Sequence, residues 1–188
     1  MVKIAQDEAA DEVLSNDPFA LLTGMLLDQQ FPMERAFAGP AKILERFGTL
    51  DPQAIAEADP EQFADLCATP PAIHRYGRSM AGRIQALARV VVDDYDGDAA
   101  AIWSGVGSGQ ALMKRLTALP GFGEQKAKIF VALLAKQLDV APRGWTTVSG
   151  DYAKKGFRSV ADVVDAESLA KVREFKKAKK KEAAAAQG

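Results

Sequence analysis

Apolar residues in this 188-residue chain recur at helical spacing almost from end to end, and nowhere do they alternate as a half-buried strand requires. Phe19, Leu22 and Leu26, with Leu21 and Met25 beside them, fall at the i, i+3, i+4 and i+7 positions of one helix face. Phe37, Ile43, Leu44 and Phe47 continue the pattern until Gly48 stops it, and Ile84, Leu87, Ala88 and Val91 form a further face. Leu112, Leu116 and Leu119 mark another helix; Ala127, Phe130, Val131, Leu134 and Leu138 mark the next. Asp59-Pro60-Glu61-Gln62 reads as a helix start, with Asp at the N-cap, Pro at N1 and Gln at N3, and Ser159 with Asp162 reads as a capping box. The one strand-like run, ARVVVDDY over 88–95, better ends a helix. The predicted fold class is all-α, with loops near 67–77, 93–108 and 139–158.

Hydrophobic residues make up 48% of the chain and charged residues 26%, enough to bury a core while keeping a wetted surface. The single cysteine, Cys67, excludes a disulfide framework and any four-cysteine metal or iron–sulfur site, and suits a reducing compartment. The opening MVKIAQDEAADE is acidic and has no long apolar core, unlike a signal peptide, and no apolar run approaches the roughly 18 residues of a membrane span. A cytoplasmic protein without a membrane partner is expected. The net charge of −1 conceals an asymmetry. Residues 1–110 carry 8 Lys+Arg and 17 Asp+Glu, a balance of −9; residues 111–188 carry 16 and 8, a balance of +8. One basic half and no membrane segment point to a polyanion, above all nucleic acid.

The basic half opens on LTALPGFGEQKAKIFVALLAK, residues 116–136. Pro120 ends the first helix. Gly121 and Gly123 permit a tight turn and close approach of a ligand to the backbone. Their N–H groups, beside the N-terminus of the following helix, form a site for an anion such as phosphate. Phe122 anchors the turn in the core, while Lys126 and Lys128 lie in the first turns of the second helix, within reach of a neighbouring phosphate. A helix corner whose glycines merely cap it would use the same dipeptides. The full pattern over 112–138 looks like a helix-hairpin-helix motif, whose contacts are backbone-to-phosphate and carry no sequence reading.

Further segments narrow the choice. DPFALLTGMLLDQQFPMERAFAGPAKILERFG resembles the opening helices of the HhH-GPD superfamily of base-excision DNA repair proteins, the endonuclease III-like DNA glycosylases; YGRSMAGRIQALARVV resembles the family's next helix, and LTALPGFGEQKA its hairpin. The resemblance covers roughly residues 17–138 in the expected order. It implies a two-lobed helical domain, here 1–176, followed by a disordered Lys/Ala-rich tail at 177–188. A flipped base would enter the cleft between the lobes while Leu119, Pro120, Gly121, Phe122 and Gly123, with Lys126 and Lys128, hold the DNA behind it. The partner implied is duplex DNA and the acting unit a monomer. In several members the hairpin carbonyls also hold a monovalent cation; otherwise no cofactor and no metal is expected. The wedge that fills the gap left by the flipped nucleotide maps to Gln30, with Gln29 its neighbour.

The catalytic positions of the family do not match. Bifunctional members place a Schiff-base lysine two residues after the second glycine, where this chain has Gln125; Lys126 lies about 100° further round the helix. No lysine-based lyase activity is expected. The family's aspartate, which stabilises the positive sugar, falls about 22 residues after that glycine, on Trp145 in RGWTTVSGDY. Asp151 is the candidate if the loop carries an insertion, with Asp28 next in line. Tyr76, Trp145 and His74 are candidates to line a base pocket, although partial burial would explain each of them. The expected protein is a monofunctional DNA glycosylase or, in its place, a noncatalytic damage-recognition protein on the same fold. The lesion is not legible.

Overall fold

The computed structural model describes residues 1–188, and every regular element in it is helical. The first helices are α1 (Glu8–Asn16), α2 (Pro18–Leu27), α3 (Met33–Phe47), α4 (Pro52–Glu57), α5 (Pro60–Ala68) and α6 (Gly77–Tyr95). A 3-10 turn at Ala99–Ile102 leads to α7 (Gly109–Thr117), α8 (Glu124–Leu138) and α9 (Trp145–Ser149). Two 3-10 turns, Gly150–Ala153 and Val160–Asp162, precede α10 (Ala166–Ala186).

Helix boundaries follow local chemistry. Asp-Pro opens three helices: Asp17 accepts from the N–H groups of Phe19 and Ala20, Asp51 from Ala54 and Asp59 from Gln62, each with proline at N1. Gly48, at φ 92°, closes α3 in the left-handed conformation. The Ser159–Asp162 capping box is present, but it caps a 3-10 turn; α10 starts later, behind its own cap at Asp165.

Helix α2 is buried on every side, from Phe19 through Leu27, and α1, α3, α6 and the first 3-10 turn pack around it. Helix α8 holds the equivalent place in the second half, against α7, α9 and the last 3-10 turn. Edge-to-face aromatic contacts tie α8 to the segments on either side of α7: Trp103 to Phe130 at 5.5 Å and Phe130 to Phe122 at 6.1 Å. A partly buried ion pair, Lys136 to Asp162 at 2.8 Å, ties α8 to the turn before α10.

Two expectations are corrected. The loop expected over 139–158 contains α9, a helix of five residues too short to show periodicity. The tail from 177 is helical as far as Ala186. Leu169 and Val172 seat the first turns in the core, and lysine and alanine, both strong helix formers, propagate the nucleus thus supplied.

Candidate nucleic-acid interface

The hairpin lies between α7 and α8, and its apolar residues hold it down. Leu119 and Phe122 are buried, so only their backbones face a ligand. Gly121 has φ 81°, and a Cβ there would stand 2.4 Å from Cδ1 of Leu26, so the turn rests directly on α2. Gly123 has an ordinary φ of −72° and open space where its Cβ would be. The N–H groups of Gly121, Gly123, Glu124, Gln125 and Lys126 have no acceptor within the chain. Such unpartnered donors at and just before a helix N-terminus match the anion site expected of the motif. The carbonyls of Pro120, Gly121 and Phe122 accept no hydrogen bond within the chain, so they suit the monovalent cation that the family resemblance implies.

Of the two hairpin lysines, Lys126 departs from the expectation. Lys128 lines the adjoining cleft and pairs with Glu124 at 3.2 Å. Lys126 is turned inward: its ammonium donates to the carbonyls of Met25 at 2.6 Å, Leu26 at 3.3 Å and Asp28 at 3.2 Å. It caps the C-terminus of α2, the favoured place for a cation, and is no phosphate ligand. Burial pushes its pKa down to about 8, against the opposing charge of Asp28.

Beside the hairpin opens a cleft of about 1190 Å³ between the 28–33 loop, the first turns of α8, the 149–152 turn and the length of α10. Eight Lys or Arg side chains line it and only two carboxylates, Asp28 and Asp151. Five of the cations, Arg173, Lys176, Lys177, Lys179 and Lys180, come from α10. Gln125, at the lysine position of bifunctional relatives, also faces the cleft and donates to the Tyr152 hydroxyl at 3.0 Å.

The 28–33 loop carries the wedge candidates. Gln29 is tied inward, its amide donating to the Leu26 carbonyl at 2.9 Å and accepting from Arg83 at 3.3 Å. Gln30 is exposed at the cleft, its amide has no partner, and its backbone is held at φ 52°, a conformation that costs a non-glycine residue energy. The loop is fixed from below by His74. The Tyr76 N–H donates to Nδ1 of His74 at 2.9 Å, which leaves the imidazole proton on Nε2, 2.8 Å from the Gln29 carbonyl. His74 is 1% exposed, and burial holds its pKa below the ordinary 6.5. It is therefore a buried support for the wedge loop and no part of a base pocket. Tyr76 is exposed outside the cleft lining. Trp145 begins α9, where the family keeps its aspartate, but packs half-buried on the core with its backbone against Gly109. The aromatic residues that do line the cleft are Phe31, Tyr152 and Phe175.

The two carboxylates differ in kind. Asp151 sits in the exposed 3-10 turn, bonded to Lys154 at 2.6 Å, and that bond holds its carboxyl below the ordinary carboxylate range. The Asp28 side chain is 8% exposed; neither oxygen accepts a hydrogen bond, and the nearest cation, Lys176, is 3.9 Å away. Burial pushes its carboxyl upward, with Lys176 and Lys126 opposing. Two unit charges 4 Å apart attract by about 1 kcal/mol in bulk water but by about 4 kcal/mol at the effective dielectric of a protein boundary. Of the two, Asp28 is much the more buried. Its sequence signal was weak, because an acid at a helix end is commonplace.

A helical fold with a hairpin of unpartnered N–H groups beside a cationic cleft has the features of a protein that contacts a polyanion through its backbone. The family model described as HhH-GPD superfamily base excision DNA repair protein matches residues 23–187, and the chain belongs to that family. No curated protein and no solved structure matches it significantly. No helix is long and apolar enough to cross a membrane.

Proposed function

We propose that this chain is a monofunctional DNA glycosylase: it binds duplex DNA as a monomer in the cytoplasm, flips a damaged base into its cleft and hydrolyses the N-glycosidic bond. The observation that carries this reading is Gln30, an unpartnered amide on strained backbone at the rim of a cleft lined by eight cations. An amide so placed fills the gap behind a flipped nucleotide and hydrogen-bonds the orphaned base. The hairpin holds the strand, and the electron pair of the glycosidic bond leaves with the base. Water adds its hydroxyl to C1′ and its proton goes to the departing base. A cleft carboxylate steadies the positive sugar in between. Gln125 offers no amine, so the reaction stops at the abasic site, and a single cysteine gives no iron–sulfur cluster.

One observation favours a second reading, damage recognition without cleavage: Trp145 occupies the helix start where the family keeps its aspartate. Incubating the protein with duplexes carrying deaminated, alkylated and oxidised bases separates the two. Base release from any of them establishes the enzyme; tight binding with no release from all of them favours recognition alone.

A further inference from the structure

Helix α10 is anchored at its start and bare beyond it. Its buried residues, Ser168, Leu169 and Val172, lie in the first two turns, and every residue after Lys176 is exposed. Among the residues it lends to the cleft, Arg173, Lys176, Lys177, Lys180 and Ala183 are spaced as one helix face. No carboxylate interrupts this stripe; the acids of the stretch, Glu174 and Glu182, lie outside the cleft lining. Like charges at i and i+4, here Arg173 with Lys177 and Lys176 with Lys180, repel and weaken a helix that has no anion to face. From Arg173 to Ala183 the stripe runs about 15 Å, the axial length of roughly four phosphates on one strand of a duplex.

Of the stripe's cations, only the two at its root meet carboxylates from other helices. Arg173 is paired with Glu34, in the first turn of α3, and Lys176 stands 3.9 Å from Asp28, the C-cap of α2. These two acids bracket the loop that carries Gln29 and Gln30, so α10 is fastened at both ends of the wedge loop. The fastening is light. Arg173 reaches only Oε1 of Glu34, while Oε2 is buried without a partner; a guanidinium on a carboxylate or a phosphate commonly engages two oxygens at once. Glu34 can lose Arg173 and stay ionised, because it stands at the positive end of the α3 dipole. We propose that the α10 stripe is a second duplex-binding surface, and that phosphates of the bound DNA take Arg173 and Lys176 away from Glu34 and Asp28. Binding along α10 then unfastens the loop whose Gln30 serves as the wedge. The proposal rests on duplex DNA being the partner.

The test is a double-mutant cycle on affinity. Wild type, Arg173→Ala, Glu34→Gln and the double variant are each titrated by fluorescence anisotropy with one undamaged duplex. If the ion pair exists in the free protein and is absent from the complex, its energy opposes binding. Glu34→Gln should then strengthen binding about two- to fivefold more in the wild-type background than beside Arg173→Ala, the factor expected of an exposed pair. If the pair persists in the complex, the two substitutions change affinity by factors that simply multiply, and the proposal falls. Arg173→Ala alone keeps the test decisive should Glu34→Gln fail to fold: it should flatten the dependence of log affinity on log salt by about 0.9, the share of one phosphate contact. An unchanged slope would overturn the proposal as well. Either result, with tight binding retained, leaves DNA as the partner. No binding of the duplex by the wild type would instead remove the DNA reading, and the proposal with it.

Discussion

The two hairpin glycines are required for different physical reasons, and substituting alanine at each should separate folding from binding. At Gly121 alanine meets two penalties. Its φ of 81° lies in the left-handed region, which costs a residue with a Cβ about 1–2 kcal/mol. The new methyl would also lie 2.4 Å from Cδ1 of Leu26, a side chain fully buried in α2. Overpacking of that sort costs about 1–3 kcal/mol. Together the penalties come to about 2–5 kcal/mol, and since each kcal/mol lowers Tm by about 2–4 °C in a chain of this size, Gly121→Ala should melt roughly 4–20 °C below the wild type. Gly123, with φ −72° and nothing within 4 Å of a Cβ, should accept alanine with less than about 0.5 kcal/mol of change. What the methyl does there is stand beside the free N–H groups. Gly123→Ala should therefore melt like the wild type yet bind duplex DNA more weakly, by a similar factor on every sequence. Urea unfolding gives the two stabilities and anisotropy the two affinities. The reasoning is refuted if Gly121→Ala is as stable as the wild type, or if Gly123→Ala loses stability in proportion to its loss of affinity.

Further outcomes follow from the cleft and its supports. Burial depresses the pKa of His74 below 6.5, so the unfolded chain takes up a proton that the folded one refuses: stability should be full above pH 6.5 and fall as the pH drops below it. His74→Gln should lose about 1–3 kcal/mol at pH 7.5 through the unmet Tyr76 or Gln29 backbone group, and its urea midpoint should then vary less than the wild type's between pH 7.5 and 5.5. If the Lys177, Lys179 and Lys180 side chains on the α10 wall meet phosphate, replacing all three by alanine should flatten the dependence of log affinity on log salt by about 0.9 for each phosphate no longer neutralised; an unchanged slope would remove α10 from the interface. Borohydride should trap no adduct on abasic duplex, because Gln125 has no amine and Lys126 is bound inside the fold; a stable adduct would implicate Lys126 or the N-terminal amine.

The features legible in the sequence are those decided within a few residues. Asp17, Asp51 and Asp59 cap helices because an Asp-Pro pair satisfies the first N–H groups wherever it stands. The hairpin is legible for the same reason: Pro120, Gly121 and Gly123 shape their own turn, and Leu119 and Phe122 show by their apolarity which way it faces. The roles of Lys126, His74 and Asp28 were decided by packing. Spacing put Lys126 near the phosphates, but the side of α8 it occupies meets the end of α2, whose Asp28 carbonyl lies 98 residues away in sequence. His74 reads as a loop histidine until the fold brings it beneath the Gln29 carbonyl, 45 residues distant. Asp28 ends a helix like many acids, and only α10, arriving from the far end of the chain, supplies the Lys176 that faces it. Caps and turns draw on neighbours along the chain, which the sequence states outright; whether a charge is solvated, paired or left waiting depends on which distant helix closes over it.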